Sequence, residues 1–269
     1  MAESLCFADH LYWPGNAAKT RIIRDIARRS AGLSQVKIFD YGCGDALHWR
    51  SILETCPHFA LVAYDISPRA RHAAREHLAG LKAEIVERVE EVHYADYIVS
   101  FSVLEHVYDR KEYLMIAKQV LAPKGIFYLN YDDGHFRICL DLSYPANWGV
   151  ALRSHIHNML APLLARFGYR RGFQQRVKKR RLGILLQEIG FEVCEEMYEN
   201  LGCIKGLYKH VSQDKRKDFM DAWVSFERLL NNRFRVKAGK PYAGDDVNLW
   251  QFMGSRTLVL SHREKKNEQ

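Results

Sequence analysis

The chain has 269 residues, of which 48% are hydrophobic and 27% are charged. These are ordinary values for a globular protein, so they argue against a mainly disordered chain, and the length allows one large domain or one domain with a substantial insertion. No apolar run approaches the roughly 20 residues of a membrane span, and the first residues lack the pattern of a secretory signal, so we expect a cytoplasmic protein.

The cysteines and the net charge narrow the function further. The six cysteines are scattered without a Cys-x-x-Cys pair, and no metal-ligand spacing stands out, so we expect neither a metal site nor a redox dithiol. A formal net charge of +8 suits an anionic partner, such as nucleic acid, a phosphorylated or carboxylated substrate, or a membrane surface. A basic face with no specific partner would give the same charge.

Strands and helices alternate through the first third of the chain. The β-prone run that starts at Val36 enters a glycine-rich turn, and a helical pattern follows it. Ser67 is a suitable N-cap for a second helix, with Pro68 at the first helical position. The predicted strands lie at 36–40, 60–65 and 83–86, and the predicted helices at 47–54 and 69–78.

The alternation continues, with two interruptions, to the end of the chain. The apolar run Ala95–Ser102 predicts a strand buried on both faces, as parallel strands are. The other predicted strands lie at 126–130, 191–195 and 256–262, and the predicted helices at 110–121, 180–189 and 214–231. The pattern lapses from 131 to about 175 and again from about 200 to 254. Alternating strands and helices predict a parallel sheet covered on both faces.

The turn after the first strand reads Asp40-Tyr-Gly-Cys-Gly-Asp-Ala46, and such a turn lies where open parallel sheets bind their ligands. Gly42 and Gly44 fit the start of a dinucleotide-binding Gly-x-Gly-x-x-Gly pattern, but Leu47 occupies the third glycine position. This departure weakens the case for NAD.

The motifs together resemble those of the class I S-adenosylmethionine-dependent methyltransferases. The match is good over about residues 34–131 and loose over the last two strands. The resemblance implies a Rossmann-like α/β fold: a doubly wound, seven-stranded, mostly parallel sheet with helical insertions that form an acceptor cap. It implies S-adenosyl-L-methionine as the cofactor. The matching residues are Asp40, Gly42, Gly44 and Ala46 in the first motif, Asp65 in the second, the run 100–107, and Leu121, Pro123 and Gly125.

The resemblance also implies a role for each cofactor-binding residue. The methionine end would be held by Asp40, by the turn that contains Gly42, Cys43 and Gly44, and by the backbone of Ser102. Asp65 would accept hydrogen bonds from the two ribose hydroxyls; alternatively, it is an acid favoured at a helix N-terminus.

The adenine ring would pack on Ile66. Many relatives place an acid for the adenine amino group after the third strand, and here that position is Val89. The contact would come from the backbone around Val89 or from Glu87.

The transfer step needs positioning, and it needs a general base if the acceptor is a hydroxyl. His106 is the candidate base, with a packing role as the alternative. The catalytic candidates after the fifth strand are Tyr131 and His135, and Asp132 is a candidate acceptor-binding residue. The sequence lacks the Asn/Asp-Pro-Pro-Tyr/Phe motif of enzymes that methylate exocyclic amines of nucleic acids, and nothing supports a cysteine nucleophile.

Three segments outside the common sheet are expected to bind the acceptor. Tyr12 and Trp13, which lie near the cations Lys19, Arg21 and Arg24, and Trp148 in the first insertion are the candidates. The predicted organisation is a helical cap at 1–33, the cofactor-binding core at 34–131, an acceptor-binding insertion at 132–175, the core again at 176–199, a helical lid at 200–254, and the last strand and tail at 255–269.

We therefore expect an enzyme that methylates oxygen or nitrogen of a small molecule, such as a sugar or a natural-product intermediate, which could be anionic. The basic stretch from Arg166 to Arg181 leaves an RNA methyltransferase open, although a solvated surface explains that stretch equally well. A non-catalytic cofactor-binding module is the alternative of a different class. The sequence does not indicate an oligomeric state.

Overall fold

The computed structural model describes residues 13–132, 156, 159–161, 163–168, 173–201, 208, 210–233 and 253–263. The described strands are β1 Val36–Tyr41, β2 Phe59–Tyr64, β3 Ala83–Ile85, β4 Ala95–Phe101, β5 Leu121–Asp132, β6 Phe191–Leu201 and β7 Met253–His262. The longer described helices are α1 Ala17–Arg29, α2 Arg50–Thr55, α3 Pro68–His77, α4 Arg110–Val120, α5 Lys179–Ile189 and α6 Arg216–Arg233.

The strands form one sheet in the order β3-β2-β1-β4-β5-β7-β6. β1 to β5 are parallel, whereas β7 runs antiparallel to both β5 and β6. The predicted seven-stranded, mostly parallel, doubly wound fold is therefore confirmed. Most of the predicted acceptor cap, including residues 133–155 and 234–252, lies outside the described residues.

Each face of the sheet carries its own hydrophobic core. Ile38 of β1 is buried in one core with Ile22 and Ile26 of α1. The next residue, Phe39, is buried in the other core with Leu114 of α4. Successive strand residues point to opposite faces, so β1 contributes to both cores and is apolar nearly throughout. Each such fully buried side chain stabilises the fold by roughly 1.5–3 kcal/mol.

Ion pairs hold α1 in place on its face of the sheet. Arg21 Nε lies 2.5 Å from Glu199 Oε1 of β6, and Arg24 Nη2 lies 2.8 Å from Asp221 Oδ1 of α6. These arginines are engaged by carboxylates of the protein itself, which supports a structural role for them rather than contact with an acceptor. Lys19 is placed differently, beside the turn after β1.

The second predicted helix start is confirmed in detail. Ser67 Oγ accepts a hydrogen bond from the Ala70 amide at 3.3 Å, and Pro68 occupies the first helical position of α3. Such a cap contributes about 1 kcal/mol. It also fixes where the chain leaves β2, and this exit carries Asp65 and Ile66.

Candidate active site

The glycine turn after β1 combines a tight approach to the protein with an open side. Gly42 has φ +95°, and a Cβ there would lie 2.3 Å from Val103 Cγ2, so only glycine fits. Gly44 has φ +58°, and a Cβ there would meet nothing within 4 Å. The amides of Gly42 and Cys43 both donate to the Tyr64 carbonyl, at 2.8 and 3.0 Å. The turn is thus pinned against β2 while its outer edge borders open space.

The carboxylate of Asp40 is fully buried beneath this turn. Its Oδ2 accepts a hydrogen bond from Trp49 Nε1 at 2.7 Å and lies 3.4 Å from His48 Nε2. Burial, and secondly the charge of Lys19, lower the pKa of His48, which keeps its imidazole neutral at neutral pH. Within the described part of the chain Oδ1 of Asp40 has no hydrogen-bond partner. A buried carboxylate oxygen in this state is stabilised by a nearby cation or donor, and the charges of Asp40 and Lys19 interact.

Lys19 brings a cation to the same edge of the sheet. Its ammonium lies 5.4 Å from the centroid of the Phe101 ring at the end of β4. Burial lowers the pKa of Lys19, and the charges of Asp40 and Asp45 oppose that shift. A lysine within a helical pattern gives no indication of the carboxylates it will face, so sequence reasoning did not single it out as a site residue.

Asp65 is held by the backbone on both of its oxygens. Oδ2 accepts from the Gly44 amide at 3.0 Å, and Oδ1 accepts from the Ser67 amide at 2.8 Å. The contact with the Ser67 amide fits the alternative role of Asp65, that of an acid at the start of a helix. Each carboxylate oxygen can accept a further hydrogen bond, so the same geometry leaves acceptors for a diol.

Ile66, whose side chain is 84% exposed, follows Asp65 at the end of β2, and Val89, which is buried, follows β3. Arg71 joins these two segments: its Nη1 donates to the carbonyls of Asp65 and Ile66, at 2.6 and 3.2 Å, and its Nη2 lies 2.8 Å from Glu87 Oε2. Hydrogen bonds from Arg71 and Arg75 lower the pKa of Glu87. The Glu87 carboxylate is thus engaged, which favours the backbone near Val89 for an adenine contact.

Ser102 and His106 follow β4. Ser102 has φ +55°, a conformation uncommon for serine, and its amide donates to the Asn130 carbonyl at 3.0 Å. His106 is exposed at the end of a short 3-10 turn, and its Nδ1 lies 3.3 Å from the Phe173 carbonyl oxygen. A strained backbone conformation such as that of Ser102 is found most often at functional sites.

Glu105 organises this turn from beneath. Its side chain is 1% exposed, and its Oε1 accepts from the Asp132 amide at 3.1 Å. Its own carbonyl accepts from the Gln175 amide at 2.8 Å. Glu105 therefore links the turn to the end of β5 and to the segment at 173–177, a role that its place in the sequence did not reveal.

The remaining candidates occupy varied positions. Tyr131 is fully buried in the core on the α4 face, and Asp132 is half-buried at the end of β5. Trp13 is 37% exposed and lies edge-on to Tyr208, with ring centroids 5.0 Å apart. Burial raises the pKa of the Cys43 thiol, which disfavours a nucleophilic role. His135, Tyr12 and Trp148 lie outside the described residues.

The cofactor candidates are brought to one edge of the sheet. Asp40 pairs in register with Ala63 of β2 and with Val99 of β4, so the turns that follow these three strands are neighbours. This edge is formed by the carboxyl ends of parallel strands, where open sheets bind their ligands.

A family model described as a methyltransferase domain matches residues 16–196, more than half of the chain. The chain belongs to the class I S-adenosylmethionine-dependent methyltransferases. The family assignment and its cofactor, S-adenosyl-L-methionine, are thus as the motifs predicted. Among curated proteins, no sequence is similar enough to match.

Solved structures share the fold of this methyltransferase at low sequence identity. The CurJ carbon methyltransferase has a TM-score of 0.52 and 14% identity over 95% of this chain, which spans 57% of that protein. The cyclopropane synthase MmaA2 of Mycobacterium tuberculosis has 0.52 and 14%, over 89% of this chain and 82% of its own. The plantazolicin methyltransferase BamL, solved with a triazolic desmethylPZN analogue and SAH, has a TM-score of 0.53 and 12% identity, over 93% of this chain and 86% of its own.

Among the described residues of the methyltransferase, no helix is both long and apolar enough to cross a membrane. Within that same part of the chain, no group of three or more His, Cys, Asp or Glu side chains is arranged to hold a metal ion.

Proposed function

We propose that this methyltransferase transfers the methyl group of S-adenosyl-L-methionine to an oxygen or nitrogen of a small-molecule acceptor. The observation that carries the proposal is the buried Asp40 carboxylate, whose Oδ1 lacks a partner in the described structure beneath a turn that is open at Gly44. A site shaped in this way suits the ammonium of an amino-acid ligand. The plantazolicin methyltransferase BamL, which shares the fold, supports an acceptor of this kind.

The chain's own residues would hold the cofactor at three points. Asp40 would accept from the methionine ammonium, Asp65 from the ribose hydroxyls, and Ile66 would cover one face of the adenine. The backbone of Ser102 would face the methionine part, and the backbone near Val89 would face the adenine amino group. When bound, the cofactor supplies a sulfonium methyl group that is already activated for in-line displacement, so the protein contributes mainly orientation.

Lys19 would complete the recognition of the amino-acid end. Methionine carries an ammonium and a carboxylate on one carbon, so a site for it needs an acceptor and a cation close together. Asp40 and Lys19 are such a pair, since the Asp40 charge acts on the Lys19 ammonium at the edge of the glycine turn. The proposed contact is between Lys19 Nζ and the methionine carboxylate.

His106 would act as the general base when the acceptor is a hydroxyl. The Phe173 carbonyl can only accept, so the 3.3 Å contact places the proton on Nδ1. Nε2 then carries the lone pair, and it belongs to an exposed side chain at the end of the β4 turn. An amine acceptor would need this base less, because an amine can lose its proton after the transfer.

The acceptor pocket would be built by the cap segments at 1–33, 132–175 and 200–254. Tyr12, Trp13, Asp132, His135 and Trp148 remain the proposed lining residues. The buried position of Tyr131 favours a role in supporting the end of β5, which presents Asp132. The cap would exclude water around the reacting groups.

Binding and transfer should be measured separately. We expect calorimetry to detect binding of both S-adenosylmethionine and S-adenosylhomocysteine, and a labelled-methyl screen over sugars, phenols, amines and peptide-derived natural products to find an acceptor. Binding without transfer to any acceptor would favour the non-catalytic module. Methyl transfer to RNA alone would favour the RNA methyltransferase, in which the exposed basic residues of α5 would bind the RNA. Absence of cofactor binding by the folded protein would refute the proposal.

A further inference from the structure

A stripe of large apolar side chains lies exposed on a helix near the candidate active site. Residues 156, 159–161 and 163–166 are helical. The exposed apolar side chains recur at the spacing of a single helical face. This apolar stripe consists of Ile156 (50% exposed), Met159 (67%), Leu160 (46%), Leu163 (51%), Leu164 (43%) and Phe167 (82%).

The opposite face of the same helix is attached to the protein. Ala161 and Ala165 are buried in a small cluster with Phe173. The Phe173 ring lies edge-on to Tyr108, with centroids 5.4 Å apart. The small side chains therefore face the protein, and the large apolar ones face outward. Contiguous exposed apolar surface of this kind marks an interaction site.

In the sequence, the excess positive charge of the chain lies in the residues that end and directly follow this stripe. Residues 166–181 contain eight arginines and lysines and no acid, while the chain as a whole has 40 basic and 32 acidic residues. The remaining 32 basic residues therefore balance the 32 acids. Arg166, Lys178, Arg180 and Arg181 are exposed, and α5 continues with Ile184, which is 49% exposed.

We propose that the apolar stripe and the exposed basic residues Arg166, Lys178, Arg180 and Arg181 dock this protein on the surface of an anionic lipid bilayer. Aliphatic side chains flanked by arginine and lysine suit the boundary between anionic headgroups and acyl chains. RNA fits less well, because five of the six side chains in the stripe have no aromatic face on which a base could stack.

The helix that carries the apolar stripe packs on Phe173, and the segment at 173–175 contacts His106 and Arg110. The Phe173 carbonyl contacts His106 Nδ1, and Arg110 Nη2 donates to the Gln175 carbonyl at 2.5 Å. A bilayer bound at the stripe would therefore lie on the side of the protein that carries His106, the proposed base. The consequence, which rests on the proposed function, is that the acceptor is an amphiphilic or lipid-linked molecule presented at the membrane surface.

The test is flotation of the full-length protein with two kinds of vesicle, phosphatidylcholine alone and phosphatidylcholine mixed with phosphatidylglycerol. We expect binding to the mixed vesicles to be about tenfold or more tighter than to the neutral ones. The double variants Leu163→Asp with Phe167→Asp, and Arg180→Gln with Arg181→Gln, should each lose about tenfold. Circular dichroism of the same samples shows whether each variant is folded, and calorimetry with S-adenosylhomocysteine shows separately whether it binds the cofactor product.

Matched controls separate the surface from a general effect of charge. Leu229→Asp changes a comparably exposed leucine on α6, and Lys111→Gln with Lys124→Gln removes two exposed cations elsewhere. Both should bind vesicles like the wild type. Equal binding by the stripe variants and the wild type would overturn the docking surface. So would binding of a single-stranded RNA oligonucleotide without binding of anionic vesicles.

Loss of vesicle binding with intact cofactor binding and transfer in solution would support docking independently of the acceptor. If the wild type does not bind the cofactor, the proposed function is refuted and the vesicle result is unaffected.

Discussion

The carboxylate of Asp65 joins the ends of two strands, because its Oδ2 accepts a hydrogen bond from the Gly44 amide at 3.0 Å. The residue that would bind ribose is therefore fixed by the same turn that would receive the methionine end. Asp65→Asn should weaken S-adenosylhomocysteine binding by about 10- to 100-fold, because charge-assisted hydrogen bonds to a diol would be lost. Calorimetry measures this change, with Glu54→Gln on α2 as the control. An unchanged dissociation constant for Asp65→Asn would remove Asp65 from the site.

Gly42 should tolerate no side chain. Gly42→Ala would place a Cβ 2.3 Å from Val103 Cγ2 and retain a backbone φ of +95°. We expect the free energy of unfolding to fall by about 1–3 kcal/mol from the strain, with a further loss from the collision. Gly32→Ala is the matched control, since Gly32 has φ +89° and a Cβ there would meet nothing within 4 Å. Denaturant titration should show that Gly42→Ala lowers the free energy of unfolding more than Gly32→Ala does. Equal decreases would mean that the Val103 side chain moves aside to accommodate the Cβ.

Lys19 should lower the stability of the folded protein and raise its affinity for the cofactor. Burial lowers the pKa of Lys19 below its ordinary value of 10.5, so holding the charged form in the folded state costs free energy at neutral pH. Lys19→Met should therefore be at least as stable as the wild type, while S-adenosylhomocysteine binding should weaken by about tenfold through loss of a charged partner.

The pH dependence of this stability difference has a definite sign. As pH rises toward 10.5, the native Lys19 loses its proton before the unfolded chain does, so the wild type gains stability relative to Lys19→Met. Urea titrations of both proteins across this range check the sign. A stability advantage of Lys19→Met that grows with pH would contradict the assignment.

His106 should matter for hydroxyl acceptors and much less for amines. With a hydroxyl acceptor, His106→Ala should lower the rate of methyl transfer in a single turnover by about 10²- to 10⁴-fold, as expected for loss of a general base. Cofactor affinity should remain near that of the wild type. His72→Ala, an exposed histidine on α3, serves as the control. A hydroxyl acceptor methylated at the wild-type rate by His106→Ala would assign the histidine to packing.

The sheet could be predicted because its signals are local. Buried runs such as Ala95–Ser102, a capped helix start at Ser67 and a glycine stop at Gly190 each appear within a few neighbouring residues. The motif residues Asp40, Gly42 and Asp65 were found in the same way, because they follow strands that were themselves recognisable.

The partners of those residues could not be predicted, because they come from distant parts of the chain. The charge of Lys19 on α1 interacts with that of Asp40, and Arg71 on α3 forms an ion pair with Glu87. The contact of His106 with the Phe173 carbonyl spans 67 residues. Such pairings depend on how helices are laid on the sheet, and periodicity reports only which face of a helix is buried.

The guanidinium of Arg71 has a consequence for how the cofactor would be recognised. It contacts two carbonyls after β2 and a carboxylate after β3, so it ties together the two segments proposed to contact the adenine. Two segments that are already tied together lose little conformational entropy when a planar ring binds between them. Recognition of the nucleoside would then resemble insertion into a preorganised clamp, and selectivity for a flat heterocycle would be a property of the unliganded protein.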